Sequence, residues 1–154
     1  MAASIEAIHV ADGAAAPMRS LERAELRAGI GIVGDRYAAA AGEWSDHPAG
    51  DRELTLVEAE VVESVGLPPG STRRNVTTRG VRLDDLIGRE FTIGGVRCLG
   101  KRRCEPCSYL EGLIGQPVLR QLAGRGGLRA QILVDGEIAV GDEIAVGDEL
   151  AVVD

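Results

Sequence analysis

The chain has 154 residues, 24 acidic and 17 basic, for a formal net charge of −7. That length suits one domain with a real core over residues 1–154, and the acidic balance argues against nonspecific nucleic-acid binding. Aromatic residues are only 3 % while glycines number 21, so the expected core is Val, Leu, Ile and Ala, in short strands joined by tight turns.

No apolar run reaches the ~20 residues of a membrane span, so no membrane partner is expected. The opening MAASIEAIHVADG meets acidic residues at once and has no basic n-region, unlike a secretory signal. Three cysteines do not make a disulfide framework, and a reducing, cytoplasmic location is expected.

Ser4–Val10 alternates apolar and polar residues and predicts a first strand, with Ile5, Ala7 and His9 on one face and the apolar Ile8 and Val10 complicating the pattern. Asp12–Pro17 is a loop. Met18–Ala28 has mixed charge and reads as either a short helix or an irregular strand. In Gly29–Tyr37, Gly34 permits a tight backbone, with the Asp35 carboxylate and Arg36 guanidinium beside it. That pair is either an exposed ion pair or part of an anion cradle. Ala38–Asp51 is a long polar loop holding Trp44 and His47.

Glu53–Val57 predicts a strand, and Glu58–Val65 an amphipathic helix stopped by Gly66. Ser71–Gly80, STRRNVTTRG, is a basic island in an acidic chain. Arg73, Arg74 and Arg79 surround Asn75 and hydroxyl side chains, a set suited to phosphate or carboxylate oxygens. Val81–Ile87 reads as a short helix capped by Gly88. Glu90–Ile93 and Val96–Leu99 form an expected hairpin about Gly94-Gly95.

Lys101–Glu111, KRRCEPCSYLE, holds Cys104 and Cys107 beside Lys101, Arg102 and Arg103. Cations next to a thiol favour the thiolate, the form that attacks electrophiles and binds metal. The expected local structure is a strand ending near Gly100, a turn through Pro106, and a helix capped by Ser108 with Glu111 completing a capping box. A structural zinc site needs two more ligands at matching spacing, and Cys98, His9 and His47 supply no second pair. A thioredoxin-like pair belongs to a βαβ setting, which is not the pattern here. Cys98 lies inside an apolar strand pattern and reads as an ordinary buried cysteine.

Tyr109–Ile114 and Val118–Leu122 predict two short helices, and Leu128–Val134 a strand. The end of the chain repeats a Gly-acidic turn before a short apolar strand, at Gly136, Gly141 and Gly147. One such unit would close a β-barrel.

The order and spacing of GIVGDRY (31–37), ELTLVEAE (53–60), STRRNVTTRGVRLDDLIGREFTIGGV (71–96), KRRCEPCSYLE (101–111), GRGGLRAQIL (124–133) and the closing GDEI strand resemble the MOSC domain. That module is named after the C-terminal part of molybdenum-cofactor sulfurase, and the resemblance covers most of the chain. It implies a mainly β, α+β fold: a MOSC-type β-barrel with short peripheral helices. It also implies the molybdenum cofactor, a pterin dithiolene (molybdopterin) with a phosphate. The family's Arg-Cys-x-Pro context falls on Arg103-Cys104-Glu105-Pro106, which gives Cys104 the role of molybdenum ligand or sulfur carrier. Some short members place the key cysteine after the proline, which points to Cys107. Asp35, Arg36, Arg73, Arg74, Asn75, Arg79 and Arg103 are the cofactor-binding candidates.

Three functions follow as expectations: a molybdenum-dependent oxidoreductase acting on N-hydroxylated or related small substrates, a persulfide-bearing sulfur carrier, or a non-catalytic cofactor-binding module. The first calls for an electron-donor protein and the second for a sulfur donor. Pyridoxal phosphate is associated with the family through the sulfurases, whose domain for it is not recognisable in this sequence.

Overall fold

The computed structural model describes residues 3–40, 42–43, 45 and 52–146. Trp44, His47 and the third terminal repeat at residues 147–152 lie outside the described residues.

β1 (Ala3–Val10) forms where alternation predicts it, but its faces are not those of a regular strand. A register shift against β6 (Val76–Arg79) falls between Ile5 and Ala7. Such a bulge resets the two-residue period. Ile5, Ile8 and Val10 therefore all join the core, rather than Ile5, Ala7 and His9 sharing one face. Met18–Ala28 contains two strands, β2 (Arg19–Leu21) and β3 (Arg23–Arg27), which settles the helix-or-strand alternative. In β3 the small and apolar Ala24 and Leu26 are buried between exposed charged residues, so period two outweighs the helix-forming composition. β4 (Gly31–Ile32) completes a three-stranded sheet in the order β10-β3-β4, where β10 is Gly136–Ala139.

Seven strands close the barrel. In order around it they are β1, β11 (Glu143–Ala145), β7 (Glu90–Ile93), β8 (Val96–Arg103), β9 (Leu128–Ile132), β5 (Leu54–Glu58) and β6, which returns to β1. β2 adds to the outer edge of β1. Closure is made by β11, whose Ile144 sits opposite both Ala3 and Ile93. The first two terminal repeats thus serve different sheets, one beside β3 and one sealing the barrel. β5 and β6 are the one parallel pair of the ring. A parallel pair needs a crossover, and α1 (Ala59–Ser64) lies in it. The helix expected at Val81–Ile87 is a single 3-10 turn, Leu83–Leu86, against β8.

Inside the barrel, Phe91, Leu54, Leu56, Ile8, Val76 and Leu128 are fully buried. A buried side chain of this size contributes about 1.5–3 kcal/mol by leaving water. A second apolar cluster lies outside the barrel. Val57 of β5 and Val62 of α1 meet Leu110 of α2 (Ser108–Ile114) and Val118 of α3 (Val118–Gln121). The turn between β8 and α2, which carries Cys104 and Cys107, is thereby held between the barrel and this helical layer.

Candidate functional site

β8 runs through Arg103 rather than ending near Gly100, because it pairs with β9 as far as Arg103 opposite Leu128. That ladder exposes Lys101, Arg102 and Arg103 at the surface. Arg103 grips Asp84 with two nitrogens, at 2.9 and 3.2 Å, and does not line the cysteine cavity. The chain then turns at Cys104-Glu105-Pro106. The helix cap is Cys107, not Ser108: the Cys107 Sγ accepts from the Leu110 N–H at 3.5 Å. Glu111 accepts from the Leu119 N–H instead of reaching back as a capping box.

Cys104 is 5 % exposed and Cys107 half-buried. Both line a cavity of about 250 Å³, together with Arg36, Arg73, Arg74 and Tyr37. Arg52 and Arg129 complete its cationic wall. Reading the sequence missed these last two. Arg129 could have been found as a charged residue inside the apolar run of β9; Arg52, beside a polar loop, gives no such signal.

Asp35 and Arg36 are both buried and paired at 3.0 Å, so the exposed-ion-pair alternative for this dipeptide does not hold. Asp35 also accepts from the Ala11 and Tyr37 N–H groups, at 3.1 and 3.2 Å. Its two oxygens are thus spent on local structure. Arg36 stacks over the Tyr37 ring at 4.7 Å and donates to the Arg73 carbonyl at 3.1 Å.

Arg74 is a clamp. Its guanidinium donates to the carbonyls of Gly126, Thr72, Cys104 and Glu105, at 2.9, 3.2, 2.8 and 3.3 Å. These bonds tie the cysteine turn to the Gly126-Gly127 turn, and Cys104 N–H adds a bond to the Gly127 carbonyl at 2.8 Å. Gly126 is pressed against that turn so closely that a Cβ would sit 2.6 Å from the Cys104 oxygen. Gly127 combines φ +125° with a backbone oxygen 2.1 Å from any Cβ it might carry, so only glycine fits there.

Asn75 does not line the cavity. Its amide nitrogen donates to the His9 carbonyl at 3.1 Å, and its oxygen accepts from the Thr55 hydroxyl at 3.1 Å. It joins β1, β5 and β6 inside the barrel wall. Arg79 lies at the surface between Glu6 and Glu63, away from the cysteines.

Arg73 has a left-handed backbone, φ 63°. Its Nη1 donates to the Ala16 carbonyl at 2.7 Å, while Nη2 is buried with no partner among the described residues. Burial, then repulsion from Arg36, lowers its pKa from the ordinary arginine value. Arg36, Arg73 and Arg74 thus bring three positive charges to a cavity wall whose own carboxylate is Glu105, with Asp35 paired to Arg36 behind it. Cys98 stands apart in the core, its thiol pushed up to about 12 by burial and then by the charge of Glu53. Among the described residues no three His, Cys, Asp or Glu side chains cluster as a metal site. No described helix is long and apolar enough to cross a membrane.

A seven-stranded barrel with a cysteine turn framed by arginines is the arrangement against which the comparisons stand. Residues 47–145 match the MOSC domain profile, and the chain belongs to that family. The fold is similar to that of the YuaD protein from Bacillus subtilis, with TM-score 0.74, 22 % identity and 94 % of each chain covered. It is also similar to YiiM from Geobacillus stearothermophilus, with TM-score 0.69, 18 % identity, and 95 % of this chain and 75 % of that one covered. YiiM from Escherichia coli gives TM-score 0.69 at 14 % identity over 97 % and 72 % of the two chains. No curated protein matches the sequence.

Proposed function

We propose that this chain binds the molybdenum cofactor in the cysteine cavity and serves as an oxidoreductase for N-hydroxylated or related small substrates, with Cys104 as thiolate ligand. The observation that carries this reading is the wall shared by Cys104 and the arginines. A thiolate donor beside several guanidiniums matches a metal already held by sulfur ligands and attached to an anionic pterin phosphate. One thiolate suits the same group, because its dithiolene brings its own sulfurs, and among the described residues no three His, Cys, Asp or Glu side chains cluster as ligands.

Each residue has a part in this reading. Arg36, Arg52, Arg73 and Arg129 would offset the anionic charge, while Arg74 holds the backbone that carries Cys104. Asp35 orients Arg36, and Asn75 fixes the strands beneath. When bound, the cofactor supplies a metal that takes up oxygen and passes electrons. Those electrons would come from a separate donor protein, in the cytosol. Metal analysis of protein made in a host that synthesises the cofactor tests this. Near-stoichiometric molybdenum, lost in Cys104→Ser and kept in Cys107→Ser, is the expected result. An absence of molybdenum, where a known cofactor protein loads in parallel, overturns it.

The presence of a second thiol, Cys107, on the same cavity favours one alternative, a sulfur carrier in which Cys104 bears a persulfide and Cys107 resolves it. Cyanide-labile sulfur on the isolated protein, lost in Cys104→Ser, would select that reading over the oxidoreductase. Loss of stability alone in both variants would leave a binding module.

A further inference from the structure

Two buried polar atoms have no partner among the described residues where the cysteine turn meets the Arg73 loop: Arg73 Nη2 and the Tyr109 hydroxyl. Both residues line a second, smaller cavity of about 40 Å³, together with Cys107, Arg36, Tyr37 and Arg74. The two are close enough to interact electrostatically. A buried polar group without a partner calls for an occupant. We propose that Arg73 and Tyr109 form a site for one small monovalent anion, of halide or nitrite size, on the wall shared with Cys107.

Size, charge and donor type select that ligand. A single water needs only ~10–15 Å³, so the cavity has room for a larger ion. A water must also find acceptors for its own two protons. At its buried end the cavity offers chiefly donors: the Arg73 nitrogen and the Tyr109 hydroxyl can both donate, the Cys107 sulfur already accepts from Leu110, and the one carboxylate of the lining, Glu43, is exposed. Three guanidiniums, of Arg36, Arg73 and Arg74, against two carboxylates, Asp35 and Glu43, leave excess positive charge, and among the described residues no carboxylate forms an ion pair with Arg73. Glu43 stands exposed at the rim and disfavours a multiply charged ion. The left-handed backbone of Arg73 is fixed from both sides, by its N–H to the Gly70 carbonyl at 3.0 Å and by Arg36 on its own carbonyl. Backbone held in a sparsely populated region is a feature of ligand clamps.

This site adjoins the larger cavity assigned to the cofactor and shares Arg36, Tyr37, Arg73, Arg74 and Cys107 with it, but its test needs no molybdenum. Protein in gluconate buffer is titrated with bromide at constant ionic strength while its thermal midpoint is followed. Crystals grown with bromide are measured at the bromine absorption edge. The expected results are a saturable rise in midpoint and an anomalous peak between Arg73 Nη2 and the Tyr109 oxygen. Tyr109→Phe should weaken half-saturation by roughly fivefold, the equivalent of one neutral hydrogen bond. Arg73→Gln should abolish it; should that variant not fold, Tyr109→Phe decides alone. No peak, or a rise of equal size and concentration dependence in Tyr109→Phe, overturns the proposal.

Discussion

The guanidinium of Arg74 donates to the carbonyl of Cys104 at 2.8 Å, joining the loop before β6 to the turn after β8 across 30 residues. The N–H groups of Arg74 are spent on backbone oxygens while its charge remains, so its first effect is on the position of the cysteine turn. Arg74→Gln removes donors from buried carbonyls and should cost about 2–4 kcal/mol of unfolding free energy. Arg74→Lys should recover only part of this, since an ammonium cannot reproduce the fork. Urea denaturation of the three proteins measures both effects. Equal stability of Arg74→Gln and wild type would remove the clamp.

Two glycines in neighbouring segments should respond oppositely to alanine. At Gly126 a Cβ meets the Cys104 oxygen at 2.6 Å and Pro106 Cδ at 2.9 Å, and backbone must move. At Gly112, inside α2, nothing lies within 4 Å. Gly126→Ala should destabilise by ~1–3 kcal/mol through overpacking, whereas Gly112→Ala should stabilise by ~0.5–1 kcal/mol through helix propensity. Melting curves of the pair serve as each other's control.

The three thiols should separate under alkylation of the native protein near neutral pH. Cys107, the most exposed, should react with iodoacetamide first, Cys104 next, and Cys98 only on unfolding. Burial in the barrel and a pKa near 12 both withhold the Cys98 thiolate. Peptide mass spectrometry against time gives the order. Modification of Cys98 ahead of the other two would contradict the packing of β8.

His9 should make stability depend on pH. Burial holds its pKa below the ordinary 6.5, and its Nδ1 has no partner among the described residues. As pH falls, the unfolded chain takes up the proton first. Stability is therefore full above pH 6.5 and declines as pH drops from there through the lower folded-state value. Glu53 and Glu58 act with the opposite sign. Burial raises their pKa above the ordinary 4.5, so stability falls as pH rises from 4.5 through the raised values. Wild type should lose more stability below pH 6.5 than His9→Gln. Parallel curves of midpoint against pH would acquit His9.

Short-range pattern carried much of this molecule. The strand expected at Glu53–Val57, found at Leu54–Glu58 and buried on both faces, the Gly94-Gly95 hairpin and the two helices about Pro117 depend on neighbours a few residues apart, and each formed within a residue or so of where residue type placed it. The bulge between Ile5 and Ala7 was hidden because it arises from pairing with β6, some seventy positions away. The same distinction sorts the site. Cys104 and Cys107 were legible as a spacing, but whether a guanidinium faces the cavity depends on where carboxylates and carbonyls fall in space. Arg103 met Asp84 on the 3-10 turn, Arg79 met Glu6 and Glu63, and Arg74 met four backbone oxygens. Arg73, flanked by the same kinds of residue in sequence, kept a buried nitrogen without a partner among the described residues.

Ile144 of β11 lies opposite Ala3 on one side and Ile93 on the other. During synthesis the first strand must therefore wait for residues near 144 to leave the ribosome before its free edge is covered. Until then the half-built barrel presents two open edges, those of β1 and β7, each able to capture a strand from another chain. Contacts this distant in sequence also close slowly. The nascent protein is thus most exposed to aggregation late in translation, and a ribosome stalled before Glu143 would hold it there.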